Sequence, residues 1–187
     1  MKGMTNVFGE LDIKDRWNLK IIKVEPHEVK SYTPIGMAYV MMRNASFESK
    51  DISLSYKYGC VNTRDPFTIE CEEDSSACIV DFPGLSLLET RIFIQECLDM
   101  GNLSYMDGGT NTTAINPGRL GDPVINYVHF PAHMYQTLHT HPSHRVGLVI
   151  RGNGKIELDN KEFYDINEGE IFFMRRNCLH NFICEDE

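Results

Sequence analysis

Three histidines carry the clearest chemical signal in this sequence of 187 residues. His139 and His141 are separated by a single residue, and His180 follows later in the chain. Because side chains alternate along a β-strand, the first two imidazoles would share one face of a strand. On a helix the same spacing would turn them about 200° apart. Neutral imidazole is a common ligand of transition metals, so the spacing predicts a metal site if His180 reaches the same place.

The residues after the histidine pair are typical of a strand that ends in a tight turn. Residues 146–151 are mostly apolar, and Gly152-Asn153-Gly154 follows them as a turn signal. The histidine pair would therefore lie on, or next to, a strand, which is the element that puts both imidazoles on one side.

These residues resemble the two sequence motifs of the cupin superfamily. The first motif is a glycine, five residues, His-x-His, three or four residues, a glutamate, six residues and a glycine; His139, His141 and Gly152 fall in register. In the second motif, Gly169 and His180 hold the positions of a glycine and a histidine. The resemblance covers residues 124–187 and implies an all-β, jelly-roll β-barrel. It implies no single reaction, because cupins include dioxygenases, isomerases, lyases, sugar-binding domains and storage proteins.

The sequence departs from the cupin motifs at the metal-binding carboxylate. The glutamate of the first motif would fall at residue 145 or 146, where this chain has Arg145 and Val146. The resemblance therefore implies a metal held by three neutral histidines, with His144 as a candidate fourth ligand, or a metal that has been lost. Other motif positions are occupied by His133, Arg175, Asn177 and Cys184.

Arg145 changes the charge expected at the site. Three neutral ligands leave the double positive charge of an ion uncompensated, and a guanidinium attracts carboxylate or phosphate in bidentate fashion. Strand alternation places Arg145 on one face with Gly147, and a glycine there would leave room for a ligand. We therefore expect a small, anionic ligand with Arg145 as its candidate partner. Further candidate ligand-binding residues are His144, Tyr135, His133 and Tyr164.

Strand signals dominate the whole chain and predict an all-β fold. Alternating and β-branched runs are separated by turn residues such as those at 62–66 and 72–76. Residues 87–100 give the best helical pattern, and residues 106–123 have the composition of a long loop. The predicted strands are residues 19–24, 36–42, 52–58, 67–71, 77–82, 91–97, 124–130, 146–151, 155–158, 163–166, 170–174 and 179–184.

The cupin motifs occupy only the C-terminal part of the chain. We expect residues 107–187 to form the cupin barrel and residues 1–106 to form an N-terminal β region. That region is either a degenerate first cupin or an extension whose strands complete the barrel. The extension is favoured, because a cupin barrel usually continues for a strand or two beyond its last histidine, and this sequence ends soon after His180.

Composition and charge exclude several classes of partner. The formal net charge of −9 argues against nucleic acid, since phosphate binding needs a basic face. No apolar run approaches the roughly 18 residues of a membrane-spanning helix, and no signal-peptide pattern is present, so a cytoplasmic protein is expected. The six cysteines lack metal-binding spacing and are expected to be free thiols. The cupin resemblance implies pairing into a homodimer.

Two functions fit these observations. The first is a metal-dependent enzyme, a dioxygenase, isomerase or lyase of cupin type, whose three histidines hold iron, manganese, nickel or zinc with open coordination positions. The second is a non-catalytic cupin module that senses or sequesters a small molecule. The histidine set favours the first function, and the missing glutamate favours the second.

Overall fold

The computed structural model describes residues 3–15, 18–86, 89–95 and 100–185. In this part of the chain the regular structure is β, apart from a short 3-10 turn at Met106–Gly108. The predicted all-β fold is thereby confirmed. In chain order the strands are β1 (Met4–Asn6), β2 (Glu10–Ile13), β3 (Leu19–Val24), β4 (Val29–Tyr32), β5 (Met37–Ser49), β6 (Ser53–Thr63), β7 (Phe67–Phe82), β8 (Arg91–Gln95), β9 (Leu103–Ser104), β10 (Thr110–Ile115), β11 (Ile125–His129), β12 (Arg145–Leu148), β13 (Asn153–Leu158), β14 (Phe163–Asn167), β15 (Ile171–Met174) and β16 (His180–Ile183).

Two other expectations concern the membrane and the cysteines. Within the described segments, no helix is long and apolar enough to cross a membrane. The five cysteines in those segments carry free thiols, as predicted. Burial raises the pKa of the Cys71 thiol to about 11, so this side chain stays protonated and packs as a small apolar group.

One compact unit, Phe8–Leu98 with Thr113–Asn126, is built on a seven-stranded antiparallel sheet. The strand order is β2-β3-β7-β5-β6-β8, and β4 also pairs with β7. The long strands β5 and β7 bury an apolar face in which Phe47 stacks on Phe67, with ring centroids 5.0 Å apart. The three candidate histidines all lie outside this unit.

Strand β7 is longer than predicted. The sequence predicts strands at 67–71 and 77–82 with a turn at 72–76, whereas the structure has one continuous strand. The pairing of β5 with β7 shifts register beside Asn44, whose side-chain amide donates to the carbonyl oxygen of Asp74 at 3.2 Å. A bulge accommodates the polar residues 72–75 of β7. They interrupt the pairing of β7 with β5, but β7 itself continues through them.

The loop predicted at residues 106–123 is also corrected, because β10 runs through it. In the three-stranded sheet β11-β10-β9, this strand has a neighbour on each side. The sequence Thr-Asn-Thr-Thr-Ala-Ile has few apolar residues, and pairing on both sides stabilises it as a strand in spite of its turn-like composition.

The candidate helix at residues 87–100 is wrong over its described part, whereas the strand predicted at residues 91–97 is confirmed over residues 91–95. Arg91–Gln95 is strand β8, and it pairs with β6. Its isoleucines at 92 and 94 alternate with Phe93 on a two-residue period, which fits a strand better than a helix. Residues 87–88 and 96–99 lie outside the described part of the chain.

The other compact unit comprises Met1–Val7, Asp99–Thr112 and Tyr127–Glu187. It contains two three-stranded antiparallel sheets, in the orders β1-β15-β12 and β14-β13-β16. One apolar core takes residues from both sheets, and these residues define the inner face of each sheet. They are Met4 and Met174 from the first sheet, and Ile156, Leu158 and Ile166 from the second.

Strand β1 shows how the N-terminus takes part in this unit. Met4 lies opposite Met174, and Asn6 lies opposite Phe172, in antiparallel register. The Met4 side chain is almost completely buried in the shared core. The division of the chain into residues 1–106 and 107–187 stays a prediction about separable domains.

We predict that a truncated chain beginning at Asp107 will not fold cooperatively. It lacks β1, so the edge of β15 and the apolar side chains around Met174 would be exposed to water. Near-UV circular dichroism of the fragment should be nearly featureless. In the intact chain, Met4→Ala should lower the free energy of unfolding by about 2–5 kcal/mol, the range for a buried methionine. A fragment with a sharp unfolding transition would show that the barrel does not need β1.

Candidate metal centre

A two-way backbone bridge brings the first and last histidines together. The His139 amide donates to the His180 carbonyl at 2.9 Å, and the His180 amide donates to the His139 carbonyl at 3.0 Å. Residues that exchange both hydrogen bonds are directly opposite in an antiparallel pair, and their side chains share a face. The two imidazole ring centroids accordingly lie 4.5 Å apart.

His141 completes the cluster from the segment that leads into β12. Its ring centroid is 4.8 Å from that of His139 and 5.3 Å from that of His180. The Asn177 amide donates to the His141 carbonyl at 2.7 Å and fixes the backbone there. One ligand nitrogen from each ring lies within 4.8 Å of the other two. The structure therefore gathers the three histidines that the sequence singled out.

The hydrogen bonds of the rings define which nitrogen faces the centre of the cluster. The Nδ1 atom of His139 is 2.9 Å from the Thr137 carbonyl, and that of His180 is 2.9 Å from the Cys178 carbonyl. A carbonyl oxygen can only accept, so Nδ1 carries the proton and Nε2 keeps its lone pair. The Nε2 atom of His180 is buried and has no partner among the described residues. Metal-bound histidines are commonly held in this way, so the residues present fit a metal ion.

Electrostatics favour the neutral forms of His141 and His180. Burial and, next in size, the charges of Arg145, His139 and His180 together lower the pKa of His141 from 6.5 to about 4. Burial also lowers the pKa of His180. A neutral imidazole is the form that binds a metal, so these shifts favour coordination at neutral pH.

Arg145 is the charged group beside the histidines. It lies opposite Met174 at the start of β12, which puts its side chain on the inner face of the sheet. Its Nη1 donates to the Ser143 hydroxyl at 3.0 Å, and the side chain stays exposed to solvent. Loss of hydration lowers the pKa of the guanidinium, and Tyr105 opposes this effect. Arg145 keeps its charge and remains open to an anion from solution.

The room expected beside Gly147 is filled by the protein itself. Gly147 lies opposite Phe172 in the β12–β15 register. A Cβ atom added to Gly147 would lie 2.2 Å from Cζ of Phe172, so the phenyl ring occupies the space that the missing side chain leaves. The expectation of ligand space there is wrong, because the neighbouring strand supplies the ring.

His144 and His133 lie apart from the three-histidine cluster. The Nδ1 atom of His144 accepts the Arg176 amide at 3.0 Å, and its ring lies 5.3 Å from the Phe173 ring. Phe173 alternates with the inner-face residues Phe172 and Met174, so His144 packs on the opposite side of the sheet. His133 is exposed and adopts a left-handed backbone conformation, with φ of 59°, in a turn.

The two candidate tyrosines lie on opposite faces of their sheet. Tyr135 is 60% exposed, and its hydroxyl donates to the buried carboxylate of Glu157. Tyr164 lies opposite Ile156 on the inner face and packs against the shared core, while its hydroxyl donates to Glu162 at 3.0 Å. A ligand-binding role for either tyrosine stays a prediction.

Sequence reasoning missed two polar residues: one that holds the segment carrying His139, and one that is buried in that segment. Asp107 accepts the Thr137 amide at 2.6 Å and the Thr137 hydroxyl at 3.1 Å, and so fixes the segment that carries His139. Gln136 is fully buried, although glutamine is usually exposed. Neither has a signal in the sequence, because both depend on which segments pair.

Comparison with known sequences gives one family. Residues 121–187 match the family model of the AraC-like ligand binding domain. The matched segment contains the three histidines and Arg145. None of the curated protein sequences matches the chain.

Solved structures give the fold. A cupin 2 conserved barrel domain protein from Leptotrichia buccalis has a TM-score of 0.58 and 14% identity, covering 98% of this chain and 83% of that one. A DUF861 family protein of unknown function from Pseudomonas syringae pv. tomato has a TM-score of 0.57 and 13% identity, covering 97% and 81%. A vicilin from Solanum melongena has a TM-score of 0.52 and 10% identity, covering 88% and 70%. At such identities the likeness establishes the fold, which is a cupin-type β-barrel, and the predicted resemblance is confirmed.

We predict that His141→Ala lowers metal occupancy by an order of magnitude or more, because three ligands become two. His144→Ala is the matched control and should leave occupancy unchanged, since the His144 ring is held by Arg176 and Phe173. Elemental analysis of both variants after dialysis against the same metal solution measures the difference. Equal occupancy in the two variants would remove the metal assignment.

We also predict that the metal-free protein loses stability as the pH falls from about 6.5 to about 4. In this window the unfolded chain protonates His141 near its ordinary pKa, whereas the folded chain does not. The contribution of His141 to the free energy of unfolding is constant above pH 6.5. It decreases as the pH falls through the window and is constant again below about pH 4. The free energy of unfolding, measured with urea at several pH values, should depend less steeply on pH in His141→Asn than in the wild type. Identical pH dependence in the two proteins would contradict the depressed pKa of His141.

Proposed function

We propose that this protein is a metal-dependent cupin that binds and transforms a small anionic molecule at His139, His141 and His180. The observation that carries this proposal is the orientation of the rings. Local backbone carbonyls hold the Nδ1 protons of His139 and His180, and this leaves Nε2 of both rings free to bind an ion. The low pKa of His141 supports the same role for the third ring.

The ligand set suits iron, manganese, nickel or zinc. Imidazole binds all four ions, and three protein ligands leave coordination positions open for a substrate. When bound, such an ion supplies Lewis acidity or activates oxygen or water. The chain contributes orientation and shielding, because His180 is buried and its ring lies 5.8 Å from the apolar ring of Phe182.

The charge of the site supports an anionic ligand. Among the residues that the structure describes, no carboxylate joins the three histidines, so an ion would keep its double positive charge. Arg145 adds a fixed positive charge on the same inner face, and its side chain is exposed. A carboxylate or phosphate would neutralise both charges. Among proteins of similar fold, the vicilin from Solanum melongena holds different anionic ligands in structurally similar pockets.

The second candidate is a non-catalytic module that senses or sequesters its ligand. It is favoured by the match of residues 121–187 to the AraC-like ligand binding domain. In this case the histidines would anchor a ligand, directly or through a metal, without changing it.

Native mass spectrometry with elemental analysis separates the two candidates. The chain should be purified without an affinity tag, so that neither metal nor ligand is displaced. Stoichiometric metal, with turnover of a co-purified metabolite on prolonged incubation, supports the enzyme. A metabolite that stays bound and unchanged supports the binding module. The reaction class, the cytoplasmic location and the homodimer remain predictions from the sequence.

We predict that Arg145→Gln weakens binding of a carboxylate or phosphate ligand by about 1.5–3 kcal/mol, the range for a charge-assisted hydrogen bond. The fold should not change, because the Arg145 side chain is exposed, and metal content should not fall, because a guanidinium has no lone pair to offer an ion. Arg145→Glu should tighten metal binding, since it restores a carboxylate near the histidines, and should abolish anion binding. Calorimetric titration measures both effects. Arg151→Gln, an exposed arginine on the same chain, is the control; an equal loss in the two glutamine variants would refute a specific role for Arg145.

A further inference from the structure

The side-chain amide of Gln136 is buried and has no hydrogen-bond partner in the part of the chain that the structure describes. The residue has no exposed surface, and neither its Nε2 nor its Oε1 has a hydrogen-bond partner among the described residues. A buried amide in this state is unusual, because most buried polar side-chain atoms in proteins are paired.

The side chain of Gln136 points toward the inner face that carries the histidines. The backbone amide of Gln136 donates to the Phe182 carbonyl at 3.0 Å, and Tyr135 forms a β-bridge with Ile183. Gln136 therefore shares the face of Phe182, which is also the face of His180 two residues earlier. Tyr135 faces the other way and binds Glu157. At about 3.3 Å per residue, Gln136 lies roughly 6.6 Å along the strand from the histidine cluster.

Asn6 is a second residue of this unit with a buried polar atom that lacks a partner among the described residues. It lies opposite Phe172 on the inner face of the other sheet of this unit. Its Oδ1 atom is buried and also lacks a partner among the described residues. The rings of Phe172 and Phe182 lie 5.8 Å apart, so the two amides flank one aromatic pair.

Burying the side-chain amide of Gln136 and the Oδ1 atom of Asn6 without hydrogen bonds lowers the free energy of unfolding, because each loses its bonds to water. An apolar residue of similar shape at position 136 would avoid the cost of burying an unpaired amide. Gln136 has both a donor and an acceptor, so it fits a ligand group that offers an acceptor and a donor side by side, such as a hydroxyl or an amide.

We propose that Gln136 is a ligand-binding residue that selects a bifunctional anion. The carboxylate or phosphate of this ligand lies at the histidines and Arg145, and a hydroxyl or amide further along the molecule pairs with the Gln136 side chain. The inference rests on the proposed function of the histidine site, because that site defines where the anionic end binds.

The first test needs no ligand. In the metal-free full-length protein, Gln136→Met replaces the unpaired amide by an apolar side chain of similar length. Its thermal midpoint should rise by about 2–4 °C, the shift that about 1 kcal/mol gives in a chain of this size. Gln95→Met, on a partly exposed strand residue, should change the midpoint little. A fall for Gln136→Met would mean that the amide is already satisfied in the free protein, and this would overturn the proposal.

The second test measures selection directly on metal-loaded protein. The probes are ω-hydroxy and ω-carbamoyl carboxylates with two to five methylene groups, each paired with the alkyl carboxylate of equal length. By calorimetry, the wild type should bind at least one polar member tenfold or more tightly than its apolar counterpart. Gln136→Met should lose this preference and still bind the alkyl carboxylates.

The outcomes separate this proposal from the function on which it rests. Carboxylate binding without any preference for the polar probes, or a preference that Gln136→Met retains, would overturn the role of Gln136 alone. If no carboxylate binds to the metal-loaded wild type, the proposed function fails, and the role of Gln136 fails with it.

Discussion

The site depends on a single pair of backbone hydrogen bonds, between His139 and His180. These bonds join a segment before β12 to the first residue of β16 and fix both side chains on one face. Each of the two rings then takes its orientation from the carbonyl two residues before it, at Thr137 and Cys178. Because these contacts are local, the rings are already oriented for an ion when the strands pair. The pairing thus does the work that separate supporting side chains do in many metal sites.

The inner faces of the sheets β1-β15-β12 and β14-β13-β16 have an apolar region and a polar region. Met4, Ile156 and Met174 meet in a close-packed core, whereas Arg145 and Gln136 carry polar groups toward the same side. Burying such groups costs stability, so the core must offset it. The aromatic residues Phe172 and Phe182 lie between these regions and pack against the core. This division explains how one small unit can stay folded and still keep polar side chains on its inner faces.

The sequence predicts the parts of the fold and site that depend on local pattern. Strand alternation identifies β3 and the strands after His141, and the histidine spacing identifies the cluster. The pattern fails where pairing decides the outcome: polar β10 is a strand because it has a neighbour on each side. In the same way, the Phe172 ring fills the space beside Gly147 because the two residues lie opposite each other in the β12–β15 register. The burial of Gln136 has no local signal, since it follows from the segment that pairs with β16.

The union of β1 with β15 has a consequence for the order in which the chain is made. A ribosome produces Met4–Asn6 long before Ile171–Met174, so this sheet cannot close until the residues between the two strands have been made. At ordinary translation rates that delay is on the order of ten seconds. By contrast, β5 and β6 follow each other in the chain, so their pairing needs only a short loop closure. During this interval β1 is an unpaired strand, which is the state most exposed to chaperones and to mispairing.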